Sequence, residues 1–191
     1  MVIPPVLKTG VLHGACEFES HPFRLYKDNN MKVLVVFYSL EGNTKLIAQK
    51  IAEAVGANLL ELKPKKETIK PHSLSKYFWG GKQVVMKEKP ELLPFEVDPN
   101  QYDLIFVGTP VWAWNFSPPI NTFLANVKIA DKKIALFCSH GGAMGKTFEN
   151  MEKELSNNKI VGKIDFKEPL KNNPEECAEK AKRWAIEIIS Q

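Results

Sequence analysis

The chain has 191 residues, 44% hydrophobic and 25% charged, an ordinary globular composition with enough length to bury one sizeable core. A net charge of +4 with no arginine-rich run speaks against a nucleic-acid partner, and no apolar run approaches the roughly 20 residues of a membrane span. Cys16, Cys138 and Cys177 are odd in number and far apart, and four histidines are scattered, so neither a disulfide framework nor a metal site is expected; the pattern fits a reducing cytoplasm.

Residues 1–30 carry Pro4, Pro5, Gly10, Gly14 and Pro22, which break any sustained period. They lack a basic start followed by a continuous apolar core, so they do not read as a signal peptide. They are taken as an N-terminal extension, or the product of an upstream start, with no chemistry assigned. Residues 31–191 form the single expected domain.

Val33 to Tyr38 is an unbroken apolar run, the pattern of a parallel strand covered on both faces. Ser39-Leu40-Glu41-Gly42-Asn43-Thr44 is a short polar turn, and Ile47, Ile51, Ala54 and Val55 then recur at helical spacing up to the expected C-cap Gly56. A strand, a hydroxyl- and glycine-containing turn and a helix N-terminus together suit a phosphate. Unpaired N–H groups and the positive end of the helix dipole face the anion, Ser39 and Thr44 add hydroxyls, and Gly42 lets the backbone approach. Glu41 cannot donate to a phosphate, so recognition there would be by backbone. The same turn also serves as a plain strand–helix connection.

Asn58 to Leu62 reads as a second strand. Residues 65–100 form a long crossover containing Tyr77-Phe78-Trp79, rings that either flank a ligand or cover a sheet edge. Asp103 to Gly108 is a third strand, followed by Thr109-Pro110-Val111-Trp112-Ala113-Trp114-Asn115-Phe116 as a loop and a helix capped by Ser117. Lys133 to Cys138 is a fourth strand, leading through Ser139-His140-Gly141-Gly142 to a helix bearing Phe148, Met151 and Leu155. Ile160 to Phe166 is a fifth strand. Asn173, Pro174 and Glu176 open a last helix that should bury Cys177, Ala181, Trp184, Ala185 and Ile188.

Alternating strands and helices predict a three-layer α/β sandwich around a five-stranded parallel sheet, with the loops after strands one, three and four on one rim. That rim offers a phosphate cradle, an aromatic wall and backbone donors, which suits a flat ring with a phosphate tail, such as flavin mononucleotide (FMN). Gly145-Lys146-Thr147 lacks the earlier glycine of a nucleotide-triphosphate loop, and no dinucleotide fingerprint follows strand one.

From Lys32 to about Ile189 the chain resembles the flavodoxin family, in its short-chain form. Ser39-Leu40-Glu41-Gly42-Asn43-Thr44 resembles the family's phosphate loop, with Glu41 in place of its middle hydroxyl. Thr109-Pro110-Val111-Trp112-Ala113-Trp114 and Ser139-His140-Gly141-Gly142 resemble its two isoalloxazine loops. The resemblance implies a flavodoxin-like sheet of order 2-1-3-4-5, FMN as cofactor, and these sixteen residues as its binding set. Of the two tryptophans at alternate positions, one is expected to stack on the ring and one to pack. Ala113 stands where a glycine is common, so a backbone flip towards the flavin on reduction, known in the family, would be harder. No acid–base or nucleophile set is required, and His140 reads as a solvated loop histidine or an accessory proton group.

Three functions follow. The first is electron transfer between redox partner proteins. The second is an FMN-dependent reductase, driven by a nicotinamide, of quinones or similar small acceptors; the third is a cofactor-free interaction module on the same fold. The mildly basic charge departs from strongly acidic electron-transfer flavodoxins and modestly favours the second over a simple shuttle.

Overall fold

The computed structural model describes residues 31–66 and 88–191. The N-terminal extension and the Tyr77-Phe78-Trp79 stretch lie outside them. All five residues of β1 (Val33–Phe37) are buried. Strand side chains alternate between faces, so Leu34 and Val36 join one apolar layer while Val33, Val35 and Phe37 join the other. Burial on both sides is why the run shows no polar alternation.

Helix α1 (Asn43–Val55) buries Thr44, Ile47, Ala48 and Ile51 and ends on Gly56, whose φ of 65° is a left-handed C-cap. Strand β2 (Asn58–Glu61) stops one residue short of the expected span, although Leu62 still donates its N–H to the Phe37 carbonyl at 2.8 Å. The chain continues through β3 (Leu104–Trp112), β4 (Asn115–Phe116), α2 (Pro118–Asn126), β5 (Lys133–His140), α3 (Thr147–Glu154), β6 (Lys159–Lys167) and α4 (Pro174–Ile189).

The parallel sheet runs β2-β1-β3-β5-β6, the expected order. One face is covered by α2 and α3, through Ile120, Phe123, Phe148 and Met151. The opposite face is covered by α1 and α4, through Ile47, Ile51, Ala181, Trp184, Ala185 and Ile188. Cys177, expected in that core, is only partly buried at its edge. Asn173 is the expected N-cap, its Oδ1 accepting the Glu176 N–H at 3.2 Å; the return bond of Glu176 Oε2 comes from the Asn173 side-chain amide, Nδ2, at 2.9 Å.

The stretch Thr109–Phe116, expected as a loop, is not irregular. Strand β3 continues to Trp112 and pairs antiparallel with β4, adding a sixth strand beside the parallel path. The two-residue turn between them needs positive φ at both positions, and Ala113 (45°) and Trp114 (60°) adopt it. Neither residue type advertises that conformation, so the hairpin is silent in the sequence. Ser117 occupies the N-cap of α2 without a capping side-chain bond; its hydroxyl lies 3.1 Å from Thr109 Oγ1 instead. Among the described residues no helix is long and apolar enough to cross a membrane.

Candidate functional site

Strand register sets the rim. Phe37 lies opposite Gly108, Gly108 opposite Phe137, Pro110 opposite Ser139, and His140 opposite Lys167. The carboxyl ends of β1, β3, β5 and β6 therefore stop at one edge, and their loops surround one cleft. It is lined by Ser39, Leu40, Glu41, Asn43 and Thr44 from the first loop, by Pro110, Val111, Trp112 and Ala113 from the hairpin, and by Ser139, His140 and Gly141 from the third loop. Glu168 and Lys171, from the β6–α4 connection, complete it.

The first loop is held from within. Ser39 Oγ accepts the Gly42 N–H at 3.1 Å, which leaves the hydroxyl's own proton to donate. Gly42, at φ 89°, is the N-cap; the first helical bond runs from Leu46 N–H to its carbonyl at 2.9 Å. The N–H groups of Asn43, Thr44 and Lys45 precede that bond, so they are the orphan donors of the first turn. Gly42 itself does not line the cleft. It supplies the turn, and a Cβ there would come within 3.2 Å of Leu170 Cδ1.

Thr44 and Ser139 are both almost fully buried, and their hydroxyls meet at 2.7 Å across 95 residues of chain. This bond ties the start of α1 to the end of β5, and so holds two walls of the cleft in register. The hydroxyl of Thr44, expected as a donor to a phosphate, thus has a protein partner.

The two tryptophans separate. Trp112 lines the cleft and meets the Tyr38 ring edge-on, with centroids 5.8 Å apart and planes at 85°. Trp114 is not part of the cleft wall and is 70% exposed at the hairpin tip. The hairpin is clamped to the start of α3: Lys146 N–H donates to the Trp114 carbonyl at 3.0 Å, and Asn150 Nδ2 donates to Asn115 Oδ1 at 3.1 Å. Thr109 is likewise off the cleft, fully buried, with its Oγ1 accepting the Ser117 N–H at 3.0 Å. It fastens β4 back onto β3.

Left-handed Ala113 is strained by its Cβ, by an amount of about 1–2 kcal/mol. Ala113→Gly is therefore expected to raise stability by about 0.5–1 kcal/mol, relief of strain being partly offset by the freer unfolded chain. Chemical denaturation measures this, and a loss of stability would show that the turn is not strained.

His140 is not the solvated loop histidine expected. Its side chain is 8% exposed, Nε2 lies 2.9 Å from Asp165 Oδ2, and Nδ1 is buried with no partner among the described atoms. Burial, reinforced by the Asp165 charge, pushes the neighbouring Cys138 thiol up to about 12, so it stays protonated and is no nucleophile. Gly141 and Gly142 open onto solvent, and Gly142 does not reach the cleft wall.

Glu168 and Lys171 escaped the sequence reading because no glycine, aromatic or hydroxyl cluster marks them. The strand order was the available signal: β6 borders β5, so its outgoing loop must emerge on the same rim.

The sequence pattern of the flavodoxin family matches residues 32–185. Among solved structures, a Lactobacillus acidophilus flavoprotein in complex with FMN is 26% identical, covering 76% of this chain and 99% of its own, with a TM-score of 0.63. A Bacteroides eggerthii protein assigned as a flavoprotein is 24% identical over 85% of this chain and 99% of its own, with a TM-score of 0.65. Oxidised flavodoxin 2 from Bacillus cereus is 22% identical over 83% and 98%, with a TM-score of 0.51. The latter two likenesses are of fold alone. With the pattern spanning most of the domain and the parallel sheet in the order expected, the chain belongs to the flavodoxin family.

Proposed function

We propose that the cleft binds FMN and that the protein works in electron transfer, exchanging electrons with a redox partner protein or a small-molecule acceptor. The observation that carries this reading is the convergence of the α1 N-terminus and Trp112 on one cleft. The donor set fits the group: orphan N–H groups and the Ser39 hydroxyl suit a phosphate, and an aromatic wall suits a flat ring. Bound flavin supplies the one- and two-electron redox chemistry. The residues bind and orient: Ser39 to Thr44 hold the phosphate, Trp112 covers the ring and excludes water, and main-chain N–H groups of the Ser139–Gly142 loop address the polar edge of the ring. The free thiols of Cys138 and Cys177 support a reducing, cytoplasmic setting.

A second reading, an FMN-dependent reductase of quinones or similar acceptors driven by a nicotinamide, is favoured by the +4 net charge, which departs from a simple acidic shuttle and suits the anionic nicotinamide dinucleotide. The experiment is to add FMN to the purified protein, remove the excess and record the visible spectrum. Retained flavin bands, with FMN released on denaturation, are expected; no retained flavin at high added FMN would return the interaction-module reading. Rapid nicotinamide oxidation with a quinone would then select the reductase, and exchange only with ferredoxin-type proteins the carrier.

A further inference from the structure

We infer that the His140 imidazole is a hydrogen-bond acceptor of the cleft, held in its accepting tautomer by Asp165, and that it selects ligands whose ring presents an imide N–H. The inference rests on the flavin reading above and deepens it.

His140 closes β5 at the cleft wall and is fixed from several sides. Its Nε2 lies 2.9 Å from Asp165 Oδ2 on β6, and its carbonyl accepts the Glu168 N–H at 2.9 Å. The preceding residue, Ser139, is tied to Thr44 by their hydroxyl contact of 2.7 Å. Ring and backbone are both engaged, and the side chain is only 8% exposed.

The proton on that ring is placed by its partner. A carboxylate has no proton to give, so Nε2 is the protonated nitrogen, and in the neutral ring Nδ1 keeps its lone pair. Nδ1 is buried, and among the described atoms nothing donates to it. Such orphans are rare in folded proteins, because the acceptor has lost water and gained no partner. The chain beside it continues as Gly141 and Gly142, where an added Cβ would meet nothing within 4 Å, so that wall has room to shift and admit a donor.

The pyrimidine end of a flavin carries two carbonyl oxygens with an imide N–H between them. Main-chain N–H groups of the Ser139–Gly142 loop suit the oxygens, but being donors they leave the imide unmatched. Of the other acceptors on the wall, Glu41 belongs to the first loop, at the phosphate end, and Glu168 is ion-paired to Lys171 at 2.6 Å. The His140 lone pair is the acceptor that completes the set. A site built this way rejects an analogue that lacks the donor, since its acceptor then stays unpaired.

The test titrates the full chain with FMN and with its N3-methyl analogue, in which a methyl group replaces the imide proton, reading flavin fluorescence. The wild-type chain is expected to bind FMN about tenfold more tightly, the worth of one hydrogen bond. His140→Leu, of similar bulk, should weaken FMN about tenfold and hold the analogue within about twofold, so that the preference disappears. Asp165→Asn, whose amide can also donate to Nε2, should lower the preference to about threefold by admitting the other tautomer. Nitrogen NMR of histidine-labelled wild type reads the same atom without a substitution. Nδ1 should resonate as an unprotonated nitrogen, shift when FMN binds and stay in place with the analogue. Equal losses for both flavins in His140→Leu, or an unshifted Nδ1 with FMN bound, would make the histidine merely structural and overturn the inference. Wild-type protein that retains FMN without preferring it overturns this inference alone, whereas wild-type protein that binds neither flavin overturns the flavin reading and this one with it.

Discussion

Gly108→Ala is expected to destabilise the fold by about 2–3 kcal/mol, at the upper end of what overpacking a core costs. A Cβ at this position would lie 2.1, 2.3 and 2.7 Å from three ring atoms of Phe137, the residue opposite it on β5. Phe137 is fully buried in the layer beneath α1 and α4, so its ring has no solvent to retreat into. Gly108 also pairs with Phe37 on its other side, which prevents β3 from moving away. For a domain of this size the thermal midpoint should fall by about 5–10 °C. Combined with Phe137→Leu, the substitution should cost less than the sum of the two single changes, because the second vacates the space the first invades. An unchanged midpoint for Gly108→Ala would show that the ring can turn aside, and that the glycine is not required for packing.

Trp112→Ala is expected to weaken FMN binding by about 10- to 100-fold, the range for losing one aromatic stacking partner. Trp112 is the indole on the cleft wall and is braced by a T-shaped contact with the Tyr38 ring, so it is preorganised against a flat ring. Removing it admits water to the ring, which lowers the cost of the reduced, negatively charged flavin and should move the reduction potential upward. Trp114→Ala is the control. Its side chain is mostly in solvent, and its loss should leave affinity within about twofold. Fluorescence titration and a redox titration of both variants measure this. Unchanged affinity in Trp112→Ala with a loss in Trp114→Ala would mean that the hairpin turns over when flavin binds.

Much of the site is legible in sequence because its marks are local. Ser39, Gly42 and Thr44 lie within six residues, between a continuous apolar run and a helical period, and both flanking elements form nearly where the periodicity places them. The β3–β4 hairpin was not legible. Its turn rests on Ala113 and Trp114 at positive φ, held there by the clamp between the Trp114 carbonyl and Lys146, and no residue type announces such a conformation. His140 was misread for a related reason: whether a loop-end histidine is solvated depends on Asp165, its partner on the neighbouring strand.

The sequence alone determined the five strands of the parallel sheet and the helices that flank it, and that several loops must share a rim, since these follow from periodicities of two and 3.6 residues and from the geometry of parallel crossovers. Only the tertiary structure decided which side chains meet on that rim. The Thr44–Ser139 bond, the seating of Leu170 on Asn43, the choice of Trp112 over Trp114 as cleft wall and the arrival of Lys171 beside the phosphate loop depend on strand register and turn conformation. Register is settled by packing between residues distant along the chain, and a one-residue slip of a strand would turn its side chains, Trp112 of β3 or Ser139 of β5 among them, to the other face.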